Sequence, residues 1–183
     1  GECVPYLRYN ETVEGVVTSL EAARTRIEAG FSHADIPGIV KPRAARNALD
    51  CALWDLEAKH AQKPVWQLAL LQQPRPMVTA YTLSLDTPEA MASAAGEVAH
   101  RPLLKLKLGR EGDVERLRLI RAAAPSSRLI IDANEGWTPN TLPELLKVCA
   151  EVGVELVEQP LPATNDEALR HIAHDVPICA DES

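Results

Sequence analysis

Four short apolar runs organise the second half of the chain: residues 103–109 (LLKLKLG), 128–134 (RLIIDAN), 154–160 (VELVEQP) and 176–183 (VPICADES). Each is bounded by turn residues and separated from the next by a stretch with helical spacing, the pattern of buried parallel strands joined by helices. An earlier run, 77–85 (MVTAYTLSL), predicts one more strand, with Thr82 and Ser84 on one face and Tyr81 and Leu83 on the other. Asp86-Thr87-Pro88-Glu89 has the chemistry of a helix start, so a helix is expected over 90–98, and others near 113–124, 139–152 and 166–174.

The first part of the chain follows a different pattern. Residues 1–11 suit a loop, in which Arg8 and Tyr9 could reach a ligand. Val13, Val16, Val17, Leu20, Ala23 and Ile27 then trace a helix over 12–29, with Thr12 as its cap and Gly30 as its stop. A second helix over 42–60 carries Ala45, Ala48, Leu49, Ala52, Leu53 and Leu56 on one stripe, and a short one starts at Pro64 and runs through Leu71. The pattern changes at Gln72-Gln73-Pro74-Arg75-Pro76. The expected organisation is therefore a mainly helical part over 1–75 and the first strands of a (β/α) barrel over 76–183, an α/β chain.

The charges at the strand ends change the picture. Lys107, Asp132, Glu158 and Asp181 follow one another at 25, 26 and 23 residues, about the length of one βα unit, and Thr82 precedes Lys107 by 25. Equal phase would put all of them at the C-terminal ends of neighbouring strands, where barrel enzymes keep their chemistry. A charge there is costly unless it meets a metal, a substrate or an opposite charge.

Lys105 and Lys107, two apart on a strand, share one face while Leu104, Leu106 and Leu108 take the other. Like charge and burial both disfavour the ammonium form, a route to an uncharged lysine that accepts a proton near neutral pH. The plain alternative is a salt-bridged pair on an edge strand. Asp132, Glu158 and Asp181 offer oxygen alone, which favours Mg²⁺ or Mn²⁺ over zinc. A lysine base beside a metal that binds a carboxylate suits removal of the proton α to that carboxylate. His171 and His174, spaced i, i+3, lack a third ligand and read as surface residues.

Composition narrows the partners. A net charge of −7 argues against nucleic acid or an anionic membrane surface, and no apolar run is long enough to span a bilayer. Cys3, Cys51, Cys149 and Cys179 are scattered without a CxxC pair and read as reduced thiols of a cytoplasmic protein. The chain begins without methionine and stops directly after a strand, and a complete barrel takes about 250 residues, so a fragment is expected.

Lys105-Leu106-Lys107, Asp132-Ala133-Asn134, Glu158-Gln159-Pro160 and Ala180-Asp181-Glu182-Ser183, in this order, resemble the muconate-lactonising subgroup of the enolase superfamily. The stretches 48–56 (ALDCALWDL) and 63–66 (KPVW) look like the end of that family's α+β capping domain. Within the subgroup, Gly1-Glu2-Cys3, Pro5-Tyr6, Arg8-Tyr9, Tyr81-Thr82 and 132–137 (DANEGW) are most similar to dipeptide epimerases. Sites of the enolase type pair a lysine or histidine base with Mg²⁺. The resemblance implies Asp132, Glu158 and Asp181 as Mg²⁺ ligands, Lys107 as acid/base on one face of a dipeptide, and Lys105 and Thr82 as substrate contacts. It implies a role in cell-wall peptide metabolism, and it leaves a homo-oligomer open. It also implies a second lysine on a sixth strand and substrate-ammonium carboxylates after an eighth, beyond these residues, so this chain alone is expected to be inactive. N-acylamino acid racemase, o-succinylbenzoate synthase and cycloisomerase share the motifs, and a non-catalytic fragment is the rival of another class.

Overall fold

The computed structural model describes residues 1–41 and 43–183, which form two compact units, Gly1–Pro76 and Met77–Ser183. In the first unit, α1 (Val13–Glu28) begins at Thr12, whose side chain accepts the Gly15 N–H at 3.0 Å. The short α2 (Ile36–Ile39) follows Ser32 and Asp35, which form a reciprocal capping box. α3 (Ala44–Ala61) and the single-turn α4 (Val65–Leu68) complete the helices. Pro42, the first residue of the expected second helix, lies outside the described residues. Ala23, Ile36, Val40, Leu49 and Leu53 make a small core between α1, α2 and α3. The predicted stripe on α3 is only partly used: Ala45, Leu49 and Leu53 are buried, whereas Leu56 is exposed.

The second unit is a parallel sheet in the order β1-β2-β3-β4-β5, an α/β partial barrel. Its strands are β1 (Tyr81–Leu83), β2 (Leu103–Lys107), β3 (Arg128–Asp132), β4 (Val154–Glu158) and β5 (Ile178–Cys179). α5 (Pro88–Glu97), α6 (Asp113–Ala123) and α7 (Leu142–Glu151) connect the first four, with α5 packed on α6 and α6 on α7. Thr87 caps α5 by accepting the Ala90 N–H, and Pro88 and Pro143 sit in first turns, where no N–H is needed. Leu104, Leu106, Leu117, Ile120, Leu129, Ile131, Leu142 and Val157 are fully buried in one core. Each such side chain contributes roughly 1.5–3 kcal/mol by leaving water.

Several expected elements are shorter than their sequence runs. The last strand reduces to two residues, since Pro177 has no N–H to give the ladder. The helix expected over 166–174 is a 3-10 turn, Asp166–His171, too short to propagate an α-helical ladder. The helix over 139–152 starts only at Leu142, because the Thr138 and Thr141 hydroxyls each accept the other residue's N–H in a preceding turn.

The register is not a single ring. Lys107, Asp132, Glu158 and Cys179 lie opposite one another, while Thr82 pairs with Lys105, one side-chain repeat lower. Asp181 lies two residues beyond Cys179, past the end of β5 in a bend. Equal spacing along the chain therefore does not mean equal height in the sheet. A register shift between Leu129 and Ile130 moves the β3–β4 pairing by one residue, so that Glu158, and not Val157, faces Asp132.

Two loops at the strand ends touch backbone to backbone. A Cβ added to Gly136 would sit 2.5 Å from the Gly109 Cα, and one on Gly109 would sit 2.5 Å from the Ala133 carbonyl oxygen. Gly109 also has φ +115°, open to glycine at little cost. A Gly136→Ala substitution should destabilise the unit by about 1–3 kcal/mol. An unchanged urea midpoint would mean the two loops part freely. All four cysteines are free thiols. Burial, with the Asp113 charge adding to it, pushes the Cys149 thiol up to about 12. Native protein treated with iodoacetamide at mildly alkaline pH should be alkylated at exposed Cys51 and Cys179 and spared at Cys149, read by mass spectrometry.

Candidate functional site

The site is built on β2, β3 and β4. Alternation along β2 buries Leu104, Leu106 and Leu108 among the helices and leaves Lys105 and Lys107 half-buried on the opposite face, as expected. β2 is an interior strand, so Lys105 and Lys107 are not a surface pair on a sheet edge.

Asp132 is the centre of the site and is 1% exposed. Its Oδ2 accepts from Lys107 Nζ at 2.6 Å and lies 3.0 Å from Lys105 Nζ; its Oδ1 accepts the Asn134 N–H at 3.0 Å. Lys105 Nζ also donates to Glu158 Oε2 at 2.6 Å, and Lys107 Nζ donates to Asn134 Oδ1 at 2.8 Å. Two ammonium groups, two carboxylates and one amide thus form a single hydrogen-bonded chain of groups.

The electrostatics follow from that geometry. Burial works to raise the Asp132 carboxyl, but hydrogen bonds and charge from Lys107 and Lys105 outweigh it and hold it below the usual carboxylate range. Burial likewise disfavours the Lys105 ammonium, yet its bonds to Glu158 and Asp132 raise it above the ordinary lysine value. At Lys105 the opposite-charge partners thus outweigh both burial and the neighbouring lysine.

The predicted residues are not all gathered. Asp132 and Glu158 meet at Lys105, whereas Asp181 is exposed, and Thr82 is exposed at the lower level of β1. Among the described residues no group of three or more Asp, Glu, His or Cys side chains is close enough to share a metal ion. The donor chemistry nonetheless fits a hard divalent cation: the groups are oxygens, and Asp132 and Glu158 already hold one cation, an ammonium, in common.

Two residues that sequence reasoning left without a role shape the site. Gln159, 2% exposed, accepts the N–H groups of Asp181, Glu182 and Ser183 on its Oε1 at 2.9–3.3 Å and donates from Nε2 to the Leu161 carbonyl and Ser183 Oγ. It therefore joins the end of β4 to the segment carrying Asp181. Asn134 is the second, and its side chain caps Lys107. Asn134, Glu135 and Gln159 all have positive φ (44°, 64° and 35°), so the backbone after Asp132 and Glu158 is held in a costly conformation. Their place directly after the charged strand ends was the one available signal in the sequence. Tyr9 packs edge-on to Tyr6 and under the Arg43 guanidinium, 4.3 Å from the ring centre. His174 bonds the Val176 carbonyl oxygen through Nδ1, and His171 belongs to the 3-10 turn.

Comparison with known proteins puts this arrangement in context. Residues 12–69 match the family described as mandelate racemase / muconate lactonizing enzyme, N-terminal domain, and residues 89–183 match the enolase C-terminal domain-like family. The chain is 42% identical over its whole length to an L-Ala-D/L-Glu epimerase of Escherichia coli (strain K12), covering 58% of that protein. A crystal structure of an enolase family member from Agrobacterium tumefaciens, with homology to dipeptide epimerases and with bound sodium and L-Ala-L-Glu, is 53% identical. It superposes at a TM-score of 0.96, with all of this chain covered and 56% of the other. A dipeptide epimerase from Enterococcus faecalis complexed with Mg and L-Leu-L-Tyr is 32% identical at a TM-score of 0.83, with 94% and 52% covered. The chain thus spans a little over half the length of these relatives. By its two matched domains and by the charged ends of its strands, this chain belongs to the enolase superfamily, in the mandelate racemase / muconate lactonizing enzyme group.

Proposed function

We propose that this chain carries the metal-binding and one-lysine half of a dipeptide epimerase site of the L-Ala-D/L-Glu type. The observation that carries the reading is the row of Lys107, Asp132 and Glu158 across three adjacent strands, with both lysine amines within 3.0 Å of the carboxylates. Relatives named as dipeptide epimerases, and the Mg in the E. faecalis complex, support the choice of substrate and cation.

Asp132, Glu158 and Asp181 would hold Mg²⁺, with Mn²⁺ as a chemical equivalent. The bound ion would supply positive charge against the negative charge that grows on a substrate carboxylate. Lys107 is the acid/base: to accept the proton α to that carboxylate at Nζ, it must give up its ion pair with Asp132. Asn134 Oδ1, 2.8 Å from the same nitrogen, keeps the amine in place when that pair is broken and leaves a lone pair free. Lys105, one repeat below, and Thr82, opposite Lys105, lie on the same face of the sheet and suit contacts to the substrate. Epimerisation needs a proton taken from one face and returned to the other. The two lysines of this sheet both rise from β2, so a second acid/base must serve the opposite face, and residues 1–183 alone should not epimerise. The natural setting fitting this chemistry is cytoplasmic recycling of cell-wall peptides.

With Mg²⁺ in D₂O, the protein at its natural length should incorporate deuterium at the α-carbon of the C-terminal residue of L-Ala-L-Glu. Lack of incorporation from either epimer would exclude the reading, and exchange with N-acetylglutamate instead would assign an N-acylamino acid racemase. Lys107→Ala should reduce exchange from one epimer by roughly 100-fold or more while sparing the other, since one base is removed. Equal retention in both would contradict its role. Asp132→Asn should weaken Mg²⁺ binding, measured by titration calorimetry, by at least the roughly 10–100-fold that loss of a supporting group costs.

A further inference from the structure

Asp113, the first residue of α6, lies outside the row of strand-end charges, yet it is 3% exposed and fully engaged. Its Oδ2 accepts the N–H groups of Gly109 and Arg110 at 2.8 and 3.1 Å, and the indole Nε1–H of Trp137 at 2.8 Å. Its Oδ1 accepts from Arg116 Nη1 at 3.0 Å. Arg116, 8% exposed, also donates to the carbonyls of Glu111 and Asp86, at 2.6 and 2.7 Å. One buried ion pair therefore ties together three loops: those after β1, β2 and β3.

Two of these loops carry the site. Gly109 is two residues after Lys107, and Trp137 is five after Asp132. The same loops meet at Gly109 and Gly136, where there is no room for a Cβ. Helix capping alone does not explain the arrangement, since the Asp113 side chain reaches backward to the strand end and across to the indole. Nor does stability demand it, because a buried ion pair is often replaced by apolar groups at no loss. A carboxylate is needed chemically: four N–H donors converge on two oxygens, and an amide in its place would turn an NH₂ toward donors.

We infer that Asp113 is a positioning residue, which through the Gly109 and Trp137 loops holds Lys107 against Asp132 and Asn134. Its consequence for proton transfer rests on the epimerase reading; its effect on the position of Lys107 does not. An amine displaced from its row would fail as a base without any loss of substrate contacts.

The test uses the protein at its natural length, with Asp113→Asn and with Trp137→Phe, which removes the indole N–H together with the five-membered ring and keeps an aromatic side chain. Lys107 is labelled with an acetyl N-hydroxysuccinimide ester and quantified by mass spectrometry against Lys147, whose side chain is 78% exposed. Both variants should raise the Lys107-to-Lys147 ratio, by about threefold or more, as the loops open locally. An unchanged ratio in a folded variant overturns the inference; should Asp113→Asn fail to fold, Trp137→Phe decides. In D₂O exchange, the epimer spared by Lys107→Ala should be spared again, and the other slowed by about tenfold or more, with KM unchanged. Equal slowing of both epimers overturns the link to Lys107. A wild-type protein without exchange sinks the epimerase reading alone, since the labelling ratio still decides the positioning role.

Discussion

The structure of the second unit turns on one buried carboxylate. Asp132 sits at the end of an interior strand, almost without solvent, and an unpaired charge there would cost several kcal/mol. Two lysine ammonium groups on the neighbouring strand offset that cost, and the backbone N–H of Asn134 takes the remaining oxygen. Ion pairs of this kind roughly balance the desolvation they require, so the cluster contributes little net stability. Removing one partner is different, since it strands the rest. What the cluster does provide is an Asp132 carboxylate kept ionised and held, together with Glu158, around a shared ammonium group.

The surrounding fold keeps this geometry by expensive local means. Three non-glycine residues directly after the two carboxylates occupy positive φ, at roughly 1–3 kcal/mol each. Long-range bonds hold them: Glu135 N–H to the Gln159 carbonyl, Gln159 N–H to the Cys179 carbonyl, and Trp137 N–H to the Pro160 carbonyl. The leucine, isoleucine and valine core beneath supplies the surplus that tolerates such strain. At the other end of β3 and β4 the charges are plainly solvated: the Arg128–Glu155 pair is exposed, and the same chemistry there does little beyond marking the surface.

At Lys105 the pairing of charges decides which form is favoured. Two lysines on one face repel, and burial adds to the effect, but Lys105 has Glu158 at 2.6 Å and Asp132 at 3.0 Å, and these partners favour its ammonium form. The state of Lys105 is set by its pairing with Asp132 and Glu158, so a ligand that satisfies those carboxylates acts on that lysine as well.

Much of this protein is legible in its sequence because it depends on local periods. Alternation on β2 decides which side chains of 103–108 face the helices; helical spacing and capping residues locate α1, α3, α5 and α6; and motif order identifies the superfamily. Heights in the sheet were not legible. Spacings of 25, 26 and 23 residues suggested one ring, but pairing between strands is chosen by contacts that no local period encodes. The shift at Leu129 and Ile130 brings Glu158 to Asp132, Thr82 falls one repeat lower, and Asp181 lies past the end of β5. The tying roles of Asp113, Trp137 and Gln159 are not legible for the same reason: each bonds to loops far along the chain, and only closure of the sheet brings those donors and acceptors within about 3 Å of one another.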